Sequence, residues 1–372
     1  MTAASALTAP SRHQRELDQR MMAIALSLAE REIGDTWPNP SVGCVIAAGG
    51  RIVGRGWTRS GGRPHAETEA LGMAGDAAKG ATAYVALEPC SHHGKTPPCV
   101  DALVAAGIQR VVASTKDPDP RVSGEGFARL RAAGVVVDEG LARTEAERIN
   151  RGFFLRMGRN RPLFALKVGA SLDGRIALKN GTSQWITGEK ARAAGHALRA
   201  RFDAILVGSQ TVIDDDPYLT CRMPGYAGRP KVRIVLDRRG RVGPEHRIVS
   251  GDHGPSLIYR NGSTAKVGAV EVRNLTAEGA GFLGEAVADM ARTGLTRVLI
   301  EGGGTIAGAF MAAGMIDEIY WFSSGHVLGG DARPAMGALD IDRLPDGPQF
   351  VTQRLDNFGN DTLRVLERAA IA

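Results

Sequence analysis

The chain has 372 residues, 43% hydrophobic and 23% charged, a composition typical of globular proteins and too long for one compact core, so two domains are expected. Its 48 glycines follow no three-residue period, which excludes a collagen-like fibre. Four cysteines in so long a chain exclude a disulfide framework, leaving Cys44, Cys90, Cys99 and Cys221 as core residues, ligands or nucleophiles in a reducing compartment.

The formal charge of +6 divides as 21 basic against 17 acidic residues up to Arg161 and 25 against 23 beyond it, so neither part is a basic tail or a basic nucleic-acid-binding domain. No apolar run approaches the roughly 20 residues that span a bilayer. The opening MTAASALTAP lacks the apolar stretch of a signal peptide and reads, with the residues up to 15, as a frayed tail.

Apolar residues at Leu17, Met21, Ile24, Ala25, Leu28 and Ala29 form the stripe of a helix from Glu16 to Arg31. A loop follows, then a hairpin turning at Gly49-Gly50. HAETEALGMAG reads as a helix and TAYVALE as a strand. PCVDALVAAG is a helix with proline at its first position, and RVVAS is a strand. A strand, a helix and a strand in succession make a βαβ unit, so residues 16–150 are expected to form an α/β domain. Residues 151–161 read as a linker. A second α/β domain over 162–372 has strands at FALKV, AILVGS, VRIVLD, LIYR, VEVRN, RVLIE and DEIYWFS, with helices at GEKARAAGHALRARF, near 279–293 and near 305–313.

The first domain carries the sharpest chemical signal. His65-Ala66-Glu67, then a strand, then Glu88-Pro89-Cys90 and Pro97-Pro98-Cys99 supply one imidazole and two thiolates, a three-ligand set for tetrahedral zinc whose fourth position stays open for water. Glu67, two residues past the histidine, is placed to shuttle protons as in the zinc nucleobase deaminases. Those enzymes usually carry Cys-x-x-Cys, whereas here the spacer is SHHGKTPP. His92, His93 and Lys95 in that spacer suit a phosphate or polar heterocycle, and Asn39, between two prolines, suits the edge of a base. Two other readings stay open at this stage: a structural zinc closed by His92 or His93, and a deaminase acting on nucleic acid with an appended binding domain. Cys44, in the apolar strand VGCVI, reads as buried, and Cys221 as a loop cysteine.

PNPSVGCVI, HAE and LEPCSHHGKTPPC resemble the deaminase domain of the bifunctional riboflavin-biosynthesis deaminase/reductase family, and the resemblance extends from about residue 16 to the C-terminus. KVGASLDGRIA, SQWITG, VGSQTVIDDDPYLTCR and IEGGGTIAGA are similar to its reductase domain. The resemblance implies a cytidine-deaminase-like three-layer α/β/α domain followed by a dihydrofolate-reductase-like α/β domain. It implies one Zn²⁺ on His65, Cys90 and Cys99, Glu67 as proton shuttle, and Asn39, His92 and Lys95 on the deaminase substrate. By position, Gly169, Trp185, Thr211, Asp215, Gly303, Gly304, Thr305, Ile306, Ala307, Gly308 and Ala309 would contact NADPH. Ser183, Arg199, Leu219, Arg222 and Glu301 would contact the second substrate, with the two arginines suited to a ribose phosphate. The implied chemistry is hydrolytic deamination of a phosphoribosylamino-diaminopyrimidinone, then reduction of the ribosyl side chain to ribityl. The expected setting is a cytoplasmic enzyme of a small phosphorylated pyrimidine, with no nucleic-acid or membrane partner, self-associating through the reductase domain.

Overall fold

The computed structural model describes residues 11–94 and 96–369, so the expectation placed on Lys95 lies outside the described residues. Two compact units divide the chain, Met1–Gly158 and Arg159–Ala372.

The first unit runs α1 (Arg12–Ala29), β1 (Gly43–Ala48), β2 (Arg51–Trp57), α2 (Ala66–Ala74), β3 (Thr82–Val85), α3 (Cys99–Ala105), β4 (Arg110–Ala113), α4 (Glu125–Ala132), β5 (Val136–Glu139), α5 (Arg143–Ile149) and α6 (Arg151–Arg159). Its sheet has the order β2-β1-β3-β4-β5. The β1–β2 hairpin turns at Gly49 and Gly50, both at positive φ. The βαβ unit appears as parallel β3 and β4.

Three layers follow from where glycine lets a helix backbone touch the sheet. A Cβ on Gly43 would lie 1.8 Å from the Ala25 carbonyl oxygen of α1. On Gly54 and Gly56 it would lie 2.1 Å from the Ala70 and Ala66 carbonyl oxygens of α2. Gly54 pairs with Ile46 and Gly56 with Cys44, so α2 covers the face that carries those residues, and α1 covers the opposite face. Cys44 is fully buried, as its strand pattern predicts. On the α1 side, buried Asp18 accepts a hydrogen bond from Tyr84 Oη at 2.7 Å and a two-pronged pair from Arg110, both at 2.8 Å, locking helix to sheet.

Two boundaries differ from the sequence reading. Ser11 caps α1 by accepting from the Gln14 N–H, so residues 12–15 are helical and not tail. Pro98 precedes α3 as an extended cap residue, and the helix starts at Cys99. The stretch read as a linker is largely α6.

The second unit contains β6 (Leu163–Ala170), β7 (Arg175–Ala177), α7 (Glu189–Ala200), β8 (Ala204–Gly208), α8 (Ser209–Asp215), β9 (Val232–Leu236), β10 (Ser256–Asn261), β11 (Lys266–Val267), β12 (Val270–Leu275), α9 (Ala280–Arg292), β13 (Arg297–Ile300), α10 (Gly304–Ala312), β14 (Ile316–Ser323), β15 (Arg333–Pro334), β16 (Phe350–Phe358) and β17 (Asp361–Arg368). Ten strands form one sheet ordered β11-β12-β10-β9-β8-β13-β6-β14-β17-β16. From β12 to β14 every neighbouring pair is parallel, so these strands end on one edge, the usual place for a ligand crevice in such sheets. The apolar runs of β8 and β9 are buried along their whole length, as parallel strands covered on both faces require.

Gly43→Ala tests the close approach of α1. The added methyl must displace the helix backbone, so a loss of about 1–3 kcal/mol is expected, measured by thermal and denaturant unfolding. Unchanged stability would show that α1 has room to move.

Candidate metal centre and strand-end cavity

In the first unit the two halves of the motif meet. His65 is the cap residue of α2 and Glu67 lies in its first turn, Cys90 follows β3, and Cys99 opens α3. The ligand atoms of His65, Cys90 and Cys99 all lie within 4.8 Å of one another. His65 Nδ1 is 3.3 Å from Cys99 Sγ and 3.7 Å from Cys90 Sγ. A tetrahedral zinc with ordinary bond lengths sets N and S about 3.6 Å apart, so the separations fit that ion.

The electrostatics lead to the same reading. Hydrogen bonds from the Cys99 side chain, from His65 and from the Cys99 backbone N–H bring the Cys90 thiol down to about 4, against the cost of burial. The Cys99 thiol is pushed up by the neighbouring Cys90 sulfur and by burial. Glu67, only 4% exposed, is raised to about 6 by burial and then by the Cys90 thiolate. Protein groups alone ionise one of the two thiols; a bound dication is what lets both serve as thiolates. Nothing among the described residues adds a fourth His, Cys or acidic ligand to the cluster, as an open, catalytic position requires.

Around this centre, Asn39 donates from Nδ2 to the Gly62 carbonyl at 2.9 Å. His92 Nδ1 and Ser91 Oγ are buried without a hydrogen-bond partner among the described residues, a state that a polar ligand would relieve. His93 is exposed. The sequence reading passed over Asp117, which burial, with the nearby charges of Asp119, Glu88 and Cys90, raises to about 7. Its position after a parallel strand, in a stretch with two Asp-Pro pairs, was the available signal.

In the second unit a cavity of about 430 Å³ lies at the ends of β6, β8 and β13. Gly169, Thr211, Asp215, Gly303, Gly304, Thr305 and Ile306 line it, as do Ser183, Glu301 and Lys167. Gly303 caps α10, so the first N–H groups of a nine-residue helix open here, an arrangement that favours phosphate. A Cβ on Gly304 would stand 2.5 Å from the Pro334 carbonyl oxygen, which explains glycine at that step of the run. The remaining members of the run do not line the cavity: Ala307 and Gly308 are buried and Ala309 is exposed on α10. Trp185 is also off the wall, 65% exposed, with the Arg192 guanidinium 4.4 Å from its ring centre.

Arg199 differs from the expected free phosphate anchor. Its guanidinium forks onto Glu301, at 2.6 and 3.0 Å, and its remaining arm donates to the Thr220 carbonyl at 2.8 Å. Against the cost of burial, Arg199 and Lys167 bring Glu301 down to about 2, so the carboxylate stays ionised at the cavity wall. Lys167 Nζ is 3.8 Å from Glu301 Oε2. Arg222 is exposed, and its backbone N–H donates to His196 Nδ1 at 3.3 Å. Burial, then Arg199 and Arg222, lower His196 to about 4, which keeps the imidazole neutral. His196 was missed, although its place one helical turn before Arg199 on α7 puts the two on one face. Leu219 is buried at positive φ, and Cys221 donates to the His196 carbonyl at 3.3 Å. The acidic run ends α8 with Asp216 as a left-handed cap.

Comparison with known proteins agrees with these two sites. Residues 15–115 match the cytidine and deoxycytidylate deaminase zinc-binding region, and residues 162–363 match the RibD C-terminal domain. The chain is 46% identical to riboflavin biosynthesis protein RibD of Escherichia coli, covering 92% of this chain and 97% of that one. It is 38% identical to the RibD protein of Aquifex aeolicus, over 95% and 99%. Among solved structures, Acinetobacter baumannii RibD superposes with a TM-score of 0.87 at 35% identity, covering 95% of this chain and 99% of that one. A Thermotoga maritima diaminohydroxyphosphoribosylaminopyrimidine deaminase/5-amino-6-(5-phosphoribosylamino)uracil reductase gives 0.87 at 32%, over 96% and 100%. The first unit is thus cytidine-deaminase-like and the second has the dihydrofolate-reductase-like fold of the reductases. Similarity at this level along nearly the whole chain, with both domain families in order, places the protein in the bifunctional deaminase/reductase family of riboflavin biosynthesis.

Proposed function

We propose that the first unit hydrolytically deaminates 2,5-diamino-6-(5-phosphoribosylamino)pyrimidin-4(3H)-one and that the second reduces 5-amino-6-(5-phosphoribosylamino)uracil with NADPH. The observation that carries the first half is the His65, Cys90, Cys99 triangle with buried Glu67 beside it. Zinc held there would supply Lewis acidity to activate water. Glu67 takes the water proton, hands it to the ring nitrogen, and assists the departing ammonia; a buried carboxyl near 6 can hold and release a proton at neutral pH. Asn39 and the buried Nδ1 of His92 orient the heterocycle and its ribose phosphate, with Lys95 assigned to the same task.

In the second unit, NADPH would supply hydride to the sugar C1′ in its open-chain imine form. The α10 N-terminus, Gly303 to Ile306, with Gly169, Thr211 and Asp215, would seat the dinucleotide, and Trp185, exposed off that wall beside Arg192, would have to turn in to flank the nicotinamide. Ala307, Gly308 and Ala309 would act by shaping the turn behind it. Glu301, kept ionised by Arg199, and Lys167 face the sugar. Ser183 and Leu219 bound the substrate, and Arg222 meets its phosphate. Self-association is assigned to this unit, where edge strand β16 exposes Val351 and Leu355. No helix among the described residues is long and apolar enough to cross a membrane, and the near-even charge of both halves fits a free pyrimidine in the cytoplasm better than nucleic acid.

Incubation with the diaminopyrimidinone, with and without NADPH, tests the whole reading. Ammonia should appear in both cases and NADPH oxidation only after it. Failure to release ammonia from the free pyrimidine, with release from tRNA or single-stranded DNA, would reverse the substrate assignment. Glu67→Gln should lower deamination by about 10²–10⁴-fold with zinc content unchanged; full deamination by this variant would remove Glu67 from the mechanism. Arg222→Ala should raise the reductase KM about tenfold or more and leave deamination intact, whereas equal loss of both activities would show a structural role. Arg199→Ala is the poorer test, because it strands buried Glu301 and should cost about 3–5 kcal/mol of stability.

A further inference from the structure

A two-residue spacer between zinc cysteines holds both sulfurs within one tight turn. Here the spacer is eight residues long, and a longer loop closes less readily. Helix α4, which carries no ligand, is bonded to both ends of that spacer. Just before Cys90, the buried Glu88 carboxylate accepts from the backbone N–H groups of Gly124 and Gly126 at 2.9 Å and of Asp117 at 3.1 Å, so it caps α4. Just after Cys90, the Ser91 carbonyl accepts from Arg129 Nη1. The other arm of Arg129 pairs with Asp101, two residues past Cys99. The helix also comes as near as a backbone can: a Cβ on Gly126 would stand 2.2 Å from the Pro89 carbonyl oxygen.

We infer that α4 is the backing of the metal centre, and that Arg129 is a positioning residue that holds the Cys90 and Cys99 segments at ligand spacing by clamping Ser91 and Asp101. The inference rests on the reading that His65, Cys90 and Cys99 hold zinc. Arg129 touches neither ligand sulfur nor substrate among the described contacts; its effect passes through the two segments it ties. Groups of this kind around metal sites typically change affinity 10–100-fold when removed.

The test uses the full-length protein loaded with zinc and, separately, with cobalt(II). Arg129→Met keeps an unbranched apolar stem and removes both bonds. Zinc transfer to a chromophoric chelator should then be about 10–100-fold faster, and the cobalt thiolate bands should shift. Arg129→Lys, which can reach one partner, should recover part of both effects, while NADPH-dependent reduction by the second unit stays at the wild-type rate. Zinc release within twofold of wild type, with an unchanged cobalt spectrum, overturns the inference. Should Arg129→Met fail to fold, Asp101→Ala, which removes the acceptor on the Cys99 side, decides: severalfold faster release supports the clamp and unchanged release overturns it. A wild-type protein that binds well under one zinc per chain, or binds it equally after Cys99→Ser, overturns the zinc reading itself and with it the clamp.

Discussion

Two sulfurs and a carboxylate buried together repel one another, and the first unit is arranged around that repulsion. With protein groups alone, Cys90 ionises easily, Cys99 does not, and Glu67 is held near 6. A dication reverses the balance for both thiols at once, so the centre is complete only when the metal is bound. In the proposed mechanism the same crowding would serve catalysis, because a carboxyl poised near neutrality beside a charged centre exchanges protons more readily than a fully solvated one. The surrounding scaffold supplies rigidity. Glycines at 43, 54 and 56 bring α1 and α2 against the sheet, and α2 carries two of the four residues that matter.

The second unit solves the opposite problem. Its cavity-wall carboxylate, Glu301, is kept ionised by the fork of Arg199 with Lys167 nearby. Arginine suits this task because its planar fork satisfies both carboxylate oxygens. Pairing inside the protein occupies Arg199, whereas Arg222 is exposed, with its backbone N–H on neutral His196.

Sequence reading recovered what local pattern determines. The cluster of His65, Cys90 and Cys99 was legible because a metal site needs particular residue types in order. The hairpin at Gly49-Gly50 and the fully buried strand β8 were legible through turn chemistry and an unbroken apolar run. Short β5 was missed because Val136, Asp138 and Glu139 are exposed and only Val137 is half-buried, leaving no apolar face to read. The β16–β17 hairpin was missed for a related reason: no residue of β16 is buried and Val351 to Leu355 are all exposed, so no alternation marks it. Arg199 was read as a phosphate anchor because its partner, Glu301, lies 102 residues away, and only the fold brings them together. The contacts of Arg129 with Ser91 and Asp101 were invisible for the same reason.

The order of strands in the two sheets separates the units in time as well as in space. In the first, all five strands are complete by Glu139, and each pairs within a short stretch of chain. In the second, β6 lies between β13 and β14, so its neighbours emerge from the ribosome only after some 130 further residues have been made. Until then β6, largely buried in the finished sheet, has both hydrogen-bonding edges open, a state that favours wrong pairing in a nascent chain. The deaminase unit can therefore be folded and ready for its metal while the reductase still waits for its central strands.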